Sequence, residues 1–246
     1  MREERFKKIL EILSDGKYVS VESLSKQLYV SMPTIRCDLT AMQEIGLVAR
    51  SHGGAIRITE LDSPPITFRI GVNSGEKIRL AAEAAKLIED DAVIFMDEST
   101  TTLHLISHLP RFKNLKVVTN SMSVLQNLYR YKIQAYCLGG EFSRDSLSFF
   151  GREAESMVKR FGIDFMFFSS SAVNRKGWIA DYSEPSNSLR RCVLEQADKK
   201  VFLCDKSKFG KHGAYTLAAL SDMDYVILNS PLPESIDPGK AVIRVV

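Results

Sequence analysis

The sequence predicts an α/β protein in two parts: a small N-terminal winged helix-turn-helix, then a larger α/β domain with a mostly parallel sheet. Three observations predict this. Short helical stripes joined by tight turns fill the first 45 residues and lead into a hairpin around a glycine pair. A segment containing Pro64-Pro65 and no clear periodicity follows. Beyond it, apolar strand-like runs alternate with amphipathic stretches to the end of the chain.

Phe6, Ile9, Leu10 and Leu13 recur at i, i+3, i+4 and i+7, the stripe of a helix packed on one face, and Ser14-Asp15-Gly16 supplies its stop. Ser20 is placed to cap a second helix that ends near Tyr29, with Val19 and Leu24 as a hydrophobic staple and Val21, Leu24 and Leu28 as its apolar side. Ser31 can cap a third, where Pro33 is tolerated in the first turn and Ile35, Leu39 and Met42 share one face. The helical period puts Pro33, Cys37 and Thr40 on the opposite side, with Thr34 and Arg36 on its flanks. That polar face of small residues suits a major groove. The run LVARSHGGAIRI then reads as two brief strands around Gly53-Gly54, with Arg50 and His52 near the tip of a wing. Periodicity alone leaves open that this module simply packs on the rest of the chain.

Charge does not decide the matter. The net charge of the 246 residues is only +3, and the first 58 hold nine Lys/Arg against seven Asp/Glu. DNA binding must therefore rest on where the charges stand. With 45% hydrophobic and 26% charged residues, the chain reads as an ordinary globular protein and not as a disordered one. Cys37, Cys137, Cys192 and Cys204 form no C-x-x-C pair, which argues against a zinc site or a disulfide framework and favours a reducing cytoplasm. No apolar run approaches membrane-spanning length, and the mixed charges of MREERFKKILEIL do not make a signal peptide. The expected location is cytoplasmic, with no membrane partner, metal or cofactor.

The stretch SVESLSKQLYVSMPTIRCDLTAMQEIGLVARSHGGA is similar to the signature of the DeoR family of transcription regulators, with VS-x-x-TIR-x-DL and the following HGGA in register. The resemblance implies that the third helix is the recognition helix, with Ser31, Pro33, Thr34, Arg36 and Cys37 facing DNA, and that Arg50 and His52 are wing contacts. Cys37 stands where the family usually has a second arginine. A cysteine can touch a thymine methyl but cannot make the bidentate guanine contact of arginine. Asp38 is expected to orient Arg36 or to cap locally.

Residues 58–74 read as a linker, which leaves 1–57 as the DNA-binding domain and 75–246 as an α/β sensing domain. In the latter the runs AVIFM, KVVT, QAYCL, DFMFF, KVFLC and YVIL are separated by amphipathic stretches, as in a parallel sheet covered by helices. Such sheets bind ligands beyond the carboxyl ends of their strands. After AVIFM comes a cradle for phosphate at a helix start, Asp97, Glu98, Ser99, Thr100, Thr101 and Thr102. After KVVT comes Asn120, able to bond a sugar hydroxyl; after QAYCL come Gly139 and Gly140, which admit close backbone approach; after KVFLC comes Lys208 within DKSK. Taken singly, each has a plain structural reading as a cap, a turn or a solvated charge.

Together DESTTT, TN, LGG and DKSKFG resemble the DeoR sensor domain, so the resemblance spans almost the whole chain. It implies a fold related to ribose-phosphate isomerases and CoA transferases, and a phosphorylated sugar as effector. Asn73 and Lys77 match a family N-x-x-x-K element that borders the pocket. The chain departs from the family at Ser99, at Ser169-Ser170-Ser171, where glycines are usual, and at Ser186-Asn187-Ser188, where acidic residues are common. The added side chains are expected to narrow the pocket.

The sequence thus points to a regulator, usually a repressor of a sugar-metabolism operon in this family, that binds double-stranded operator DNA as a homo-oligomer, dimer or tetramer, and responds to a phosphorylated sugar. Two alternatives stand beside it: a regulator that has lost sensing, and a sugar-phosphate isomerase drawing acids and bases from Asp97, Glu98, Asp181 and Glu184. The helix-turn-helix signature argues against an enzyme.

Overall fold

The computed structural model describes residues 2–14, 17–45, 47–51, 53–57 and 66–246. Backbone proximity divides the chain into two compact units, 1–72 and 73–246.

The first unit runs α1 (Arg2–Ile12), β1 (Val19–Ser20), α2 (Val21–Leu28), α3 (Met32–Glu44), β2 (Val48–Ser51), β3 (Gly54–Arg57) and α4 (Ile66–Gly71). Phe6, Ile9, Leu10 and Leu13 meet Val21 and Leu24 of α2 and Ile35, Leu39 and Met42 of α3 in one buried cluster, so the periodic stripes are the core. Ser20 Oγ accepts from Ser23 N at 3.1 Å and Ser31 Oγ from Thr34 N at 3.3 Å, the two helix caps. Tyr29 ends α2 at φ 55°, a left-handed position.

β2 and β3 form the antiparallel wing. The local pattern did not reveal that β1 adds a third strand by pairing with β3, which makes the order β1-β3-β2. This explains Gly54: a Cβ there would lie 2.3 Å from the Val19 carbonyl oxygen. The segment expected as linker is not irregular throughout, because Ile66–Gly71 is helical with Ile66 buried, and a further helix begins at Ser74. Residues 58–65 lie outside the described ones.

The second unit runs α5 (Ser74–Ala84), a short 3-10 turn (Ala85–Leu87), β4 (Val93–Met96), a 3-10 helix (Thr102–Arg111), β5 (Lys116–Thr119), α6 (Met122–Tyr129), β6 (Gln134–Cys137), β7 (Glu141–Ser143), β8 (Ser148–Phe150), α7 (Arg152–Val158) and β9 (Ile163–Phe168). It continues with β10 (Ala172–Val173), β11 (Trp178–Asp181), α8 (Glu184–Gln196), β12 (Ala197–Cys204), a 3-10 turn (Lys206–Lys208), β13 (Tyr215–Ala219), a 3-10 turn (Leu220–Asp222), β14 (Tyr225–Leu228) and β15 (Val242–Val245).

Seven strands form a sheet in the order β15-β14-β12-β9-β4-β5-β6, every neighbouring pair parallel. Alternate residues of each strand enter opposite cores. Phe95, Val118, Met166, Phe168 and Phe202 join α7 and α8 on one face, and Ile94, Met96, Val117, Phe167 and Val201 join α5, α6 and the longer 3-10 helix on the other. Burial on both faces is why these strands read as continuous apolar runs. From β4 the chain winds outward through β5 to β6, and from β9 it winds the other way through β12 and β14 to β15. The winding reverses between β4 and β9, and it is at the carboxyl ends of strands beside such a switch that sheets of this class bind ligands.

Candidate functional site

In the first unit, α3 presents Ser31, Pro33, Arg36, Cys37 and Thr40 to solvent, with Thr34 half-buried on the flank. The Thr40 hydroxyl donates to the Arg36 carbonyl at 2.9 Å and accepts from Arg50 Nη1 at 2.6 Å. Arg50 of the wing is thereby tied to the outer face of α3. His52, the other wing contact expected from sequence, lies outside the described residues. The expectation for Asp38 is corrected: its carboxylate is 2% exposed and accepts from Arg5 Nε at 2.5 Å and Nη2 at 3.0 Å, with Arg2 at 3.5 Å. Asp38 therefore fastens α1 to α3 and does not orient Arg36. The signal is non-local, since the partners stand 33 residues apart.

In the second unit, the loops after β4, β5, β9 and β12 meet at the switch point. Arg190 of α8 reaches into them and is enclosed by acids. Its Nη2 donates to Asp97 Oδ2 and Glu98 Oε1, both at 2.9 Å, and its Nη1 to Asp181 Oδ2 at 2.9 Å. Burial alone would lower the guanidinium pKa, but Glu98, Asp97 and Asp181 together raise it. Asp97 titrates above its ordinary range because burial outweighs Arg190. Asp181 titrates below it, since Arg190 and the Ser171 hydroxyl overcome the burial that would raise it.

The residues of DESTTT take different parts. Asp97 is fully buried, accepting also from Ser169 N at 3.2 Å and from the Thr102 hydroxyl at 2.9 Å. Ser99 Oγ accepts from Thr102 N, at the first residue of the 3-10 helix, at 3.2 Å. Asp97, Ser99 and Thr102 thus brace one another. Thr101 is buried. Thr100 accepts from Lys77 Nζ at 2.8 Å, which brings the buried lysine of α5 to the start of that helix. Asn73 Nδ2 reaches Asp205 Oδ1 at 3.3 Å, and Lys208 Nζ donates to Ser169 Oγ at 2.6 Å. Asp205 stays ionised below its ordinary range; burial works against this, and Lys208, Ser207 and Lys77 outweigh it. Cationic and acidic groups are therefore set side by side.

Asn120 is fully buried, its Nδ2 donating to Glu98 Oε2 at 3.2 Å and to the Phe149 carbonyl at 3.3 Å, while its Oδ1 has no partner. Ser186, one of the departures noted in sequence, donates to Glu98 Oε1. The three serines after β9 are engaged internally: Ser169 with the Leu203 carbonyl, Ser170 with that of Ala172, Ser171 with Asp181. Gly140 has a structural reason of its own, since at φ 118° a Cβ would lie 2.1 Å from the Phe150 carbonyl oxygen. Gly139 meets nothing within 4 Å. Glu184 pairs with Arg191 and stands apart from the three acids on Arg190. Sequence reasoning missed Arg190 itself, because no local motif marks a helix arginine whose partners lie up to 93 residues away.

Among the described residues no group of His, Cys, Asp and Glu is arranged to hold a metal ion, and no helix is long and apolar enough to cross a membrane.

A winged helix-turn-helix joined to an α/β unit with a buried polar cluster at its strand ends defines a DNA-binding transcription regulator with a sensor domain. Residues 5–61 match the DeoR-like helix-turn-helix domain, and residues 72–230 match the DeoR C-terminal sensor domain. The chain belongs to the DeoR family. It is 28% identical to the transcriptional repressor AccR of Agrobacterium fabrum, over 93% of this chain and 90% of that protein. It is 30% identical to the HTH-type transcriptional regulator GlpR of Haloferax volcanii, with the same coverage. It is 31% identical to the L-fucose operon activator of Haemophilus influenzae, over 93% and 92%. Among solved structures it is similar to ribose 5-phosphate isomerase A of Methanocaldococcus jannaschii, with a TM-score of 0.42 and 19% identity over 56% of this chain and 55% of that one. A likeness at that level carries no functional weight.

Proposed function

We propose that the protein is a cytoplasmic repressor of a sugar-metabolism operon, that it binds operator DNA as a homo-oligomer, and that a phosphorylated sugar bound at the β4–β9 switch weakens that binding. The observation that carries this reading is that partly or fully buried cations and hydrogen-bond acceptors gather around the loops at the carboxyl ends of the strands on either side of the β4–β9 switch. Lys77 on Thr100 at a helix start, with Lys208 on Ser169, forms an end suited to a phosphate. Glu98 and the unpartnered Asn120 Oδ1 form an end that accepts hydrogen bonds from sugar hydroxyls.

DNA recognition is assigned to Ser31, Pro33, Thr34, Arg36, Cys37 and Arg50, with residues 1–57 as the reading head and 75–246 as the sensor. Effector binding favours an arrangement that fits the operator poorly, which requires different effector affinities in the two states. An isomerase is disfavoured, because Asp97 and Asp181 are held by Arg190 and the similar chains are named as regulators.

The test is operator binding at fixed salt, since phosphate contacts make affinity depend on ionic strength. Sugar phosphates and their dephosphorylated forms are added in parallel. Release by one phosphorylated sugar and not by the free sugar supports the reading; indifference to every compound counts for a regulator without sensing. Transcription from the operon with the gene deleted separates repression from activation.

A further inference from the structure

Thr40 is exposed in the interior of α3, at a place where alanine, lysine or glutamate would favour the helix more. Its hydroxyl donates to the Arg36 carbonyl one turn back at 2.9 Å, and the same oxygen accepts from Arg50 Nη1 at 2.6 Å. The direction of both bonds is fixed, since a carbonyl only accepts and a guanidinium only donates.

Strand geometry brings Arg50 there. A backbone bond from Leu47 N to the Met42 carbonyl, at 2.8 Å, leads β2 directly off the end of α3. Val48 and Arg50 then lie on the same side of β2. Val48 is buried in the core of this unit, so the arginine side chain runs back along the helix to Thr40.

We propose that Thr40 is a positioning residue for DNA binding, which holds the wing arginine against the recognition helix, ready for a phosphate of the duplex. This rests on the assignment of Arg50 as a wing contact. The bond to Thr40 needs only one of the N–H groups of a guanidinium, so Arg50 keeps donors for the phosphate. An arginine loose on the surface loses rotamer freedom when it binds, and a prior hold removes part of that cost. Thr40 thereby acts through Arg50 and makes no contact of its own with DNA.

A contact to the backbone is blind to sequence, so the probe is a mixed-sequence duplex, bound by the full chain over a salt series. Thr40→Val keeps the shape of the side chain and removes the acceptor. It is expected to bind about two- to tenfold more weakly with an unchanged salt slope, because the phosphate contact is still made. Thr40→Ser restores the acceptor and is expected to recover most of the loss. Thr40→Ala, a better helix former, is expected to match valine and gives the same reading should valine disturb the fold. In an Arg50→Ala background Thr40→Val is expected to have no further effect. If Arg50→Ala weakens binding while Thr40→Val and Thr40→Ala leave it unchanged, the proposal alone is overturned. The same holds for a loss that persists undiminished in the Arg50→Ala background, or one that serine does not recover. An Arg50→Ala variant that binds like the unaltered chain overturns it together with the wing assignment.

Discussion

Arg190 Nη2 lies 2.9 Å from Asp97 Oδ2, with the arginine side chain 4% exposed and the aspartate not at all. Glu98 and Asp181 complete the set, so one buried cation faces three carboxylates. The enclosure links α8 to the loop after β4 and to the last residue of β11.

Removal of this cation leaves buried carboxylates uncompensated. Arg190→Leu is expected to cost about 3 to 5 kcal/mol, the usual penalty for breaking one side of a buried pair. Arg190→Lys is expected to recover only part, because an ammonium lacks the planar fork that serves three acceptors. Urea unfolding of the two variants checks both expectations.

The recognition face and the wing are expected to behave differently on DNA. Arg36→Ala should weaken binding to the cognate operator by about 1 to 3 kcal/mol and relax specificity at one base pair. Arg50→Ala should weaken all sequences alike and reduce the salt slope by about one. Binding isotherms on cognate and scrambled duplexes over a salt series distinguish the two. An unchanged affinity in Arg36→Ala at matched salt would remove the assignment of α3.

Lys77→Met keeps the aliphatic stem and deletes the charge. It is expected to leave operator affinity intact while raising the effector concentration for release more than about tenfold, as befits a charge-assisted hydrogen bond worth roughly 1.5 to 3 kcal/mol. Operator release assays with the effector sugar phosphate read this directly.

The two glycines after β6 predict opposite outcomes. Gly140→Ala must strain a φ of 118° and meet the Phe150 carbonyl, so the melting temperature should drop clearly. Gly139→Ala meets open space and should leave stability nearly unchanged. A loss of effector response in Gly139→Ala without loss of stability would give that glycine the role of admitting ligand.

Acid sensitivity follows from two depressed aspartates. In the folded state Asp181 and Asp205 hold their charge below the ordinary 3.8. Their contribution to stability is present above that value and is lost as pH falls through the folded pKa values. Asp97, raised by burial, has the opposite sign: its protonation as pH falls relieves part of the strain of the cluster. Unfolding midpoints measured from about pH 6 down to about pH 3 should decline below the ordinary aspartate range. The decline should be shallower in Asp205→Asn.

Legibility followed the range of the interaction. The stripe from Phe6 to Leu13, the caps Ser20 and Ser31 and the Gly53 turn depend on neighbours within a few positions, and all were readable as pattern. The runs that became β4, β5, β6, β9, β12 and β14 were readable because a doubly covered parallel sheet demands continuous apolar residues. β15 was missed: its VIRV is short and carries an arginine, and its strand status comes from pairing with β14. The short β1 depends in the same way on β3.

The sequence by itself determined the two-part architecture, the cap chemistry and the strand ends where polar residues gather, because periodicity and turn chemistry are local. Tertiary structure alone decided which of those polar residues face one another. It set Asp38 on Arg5, Arg50 on Thr40, Lys77 on Thr100, and Arg190 among Asp97, Glu98 and Asp181. In the first unit the reason is the packing of α1 and the wing on α3; in the second it is the order of strands. That β4 lies beside β9 is fixed by packing of whole layers, and only that adjacency brings separate loop residues into one polar cluster.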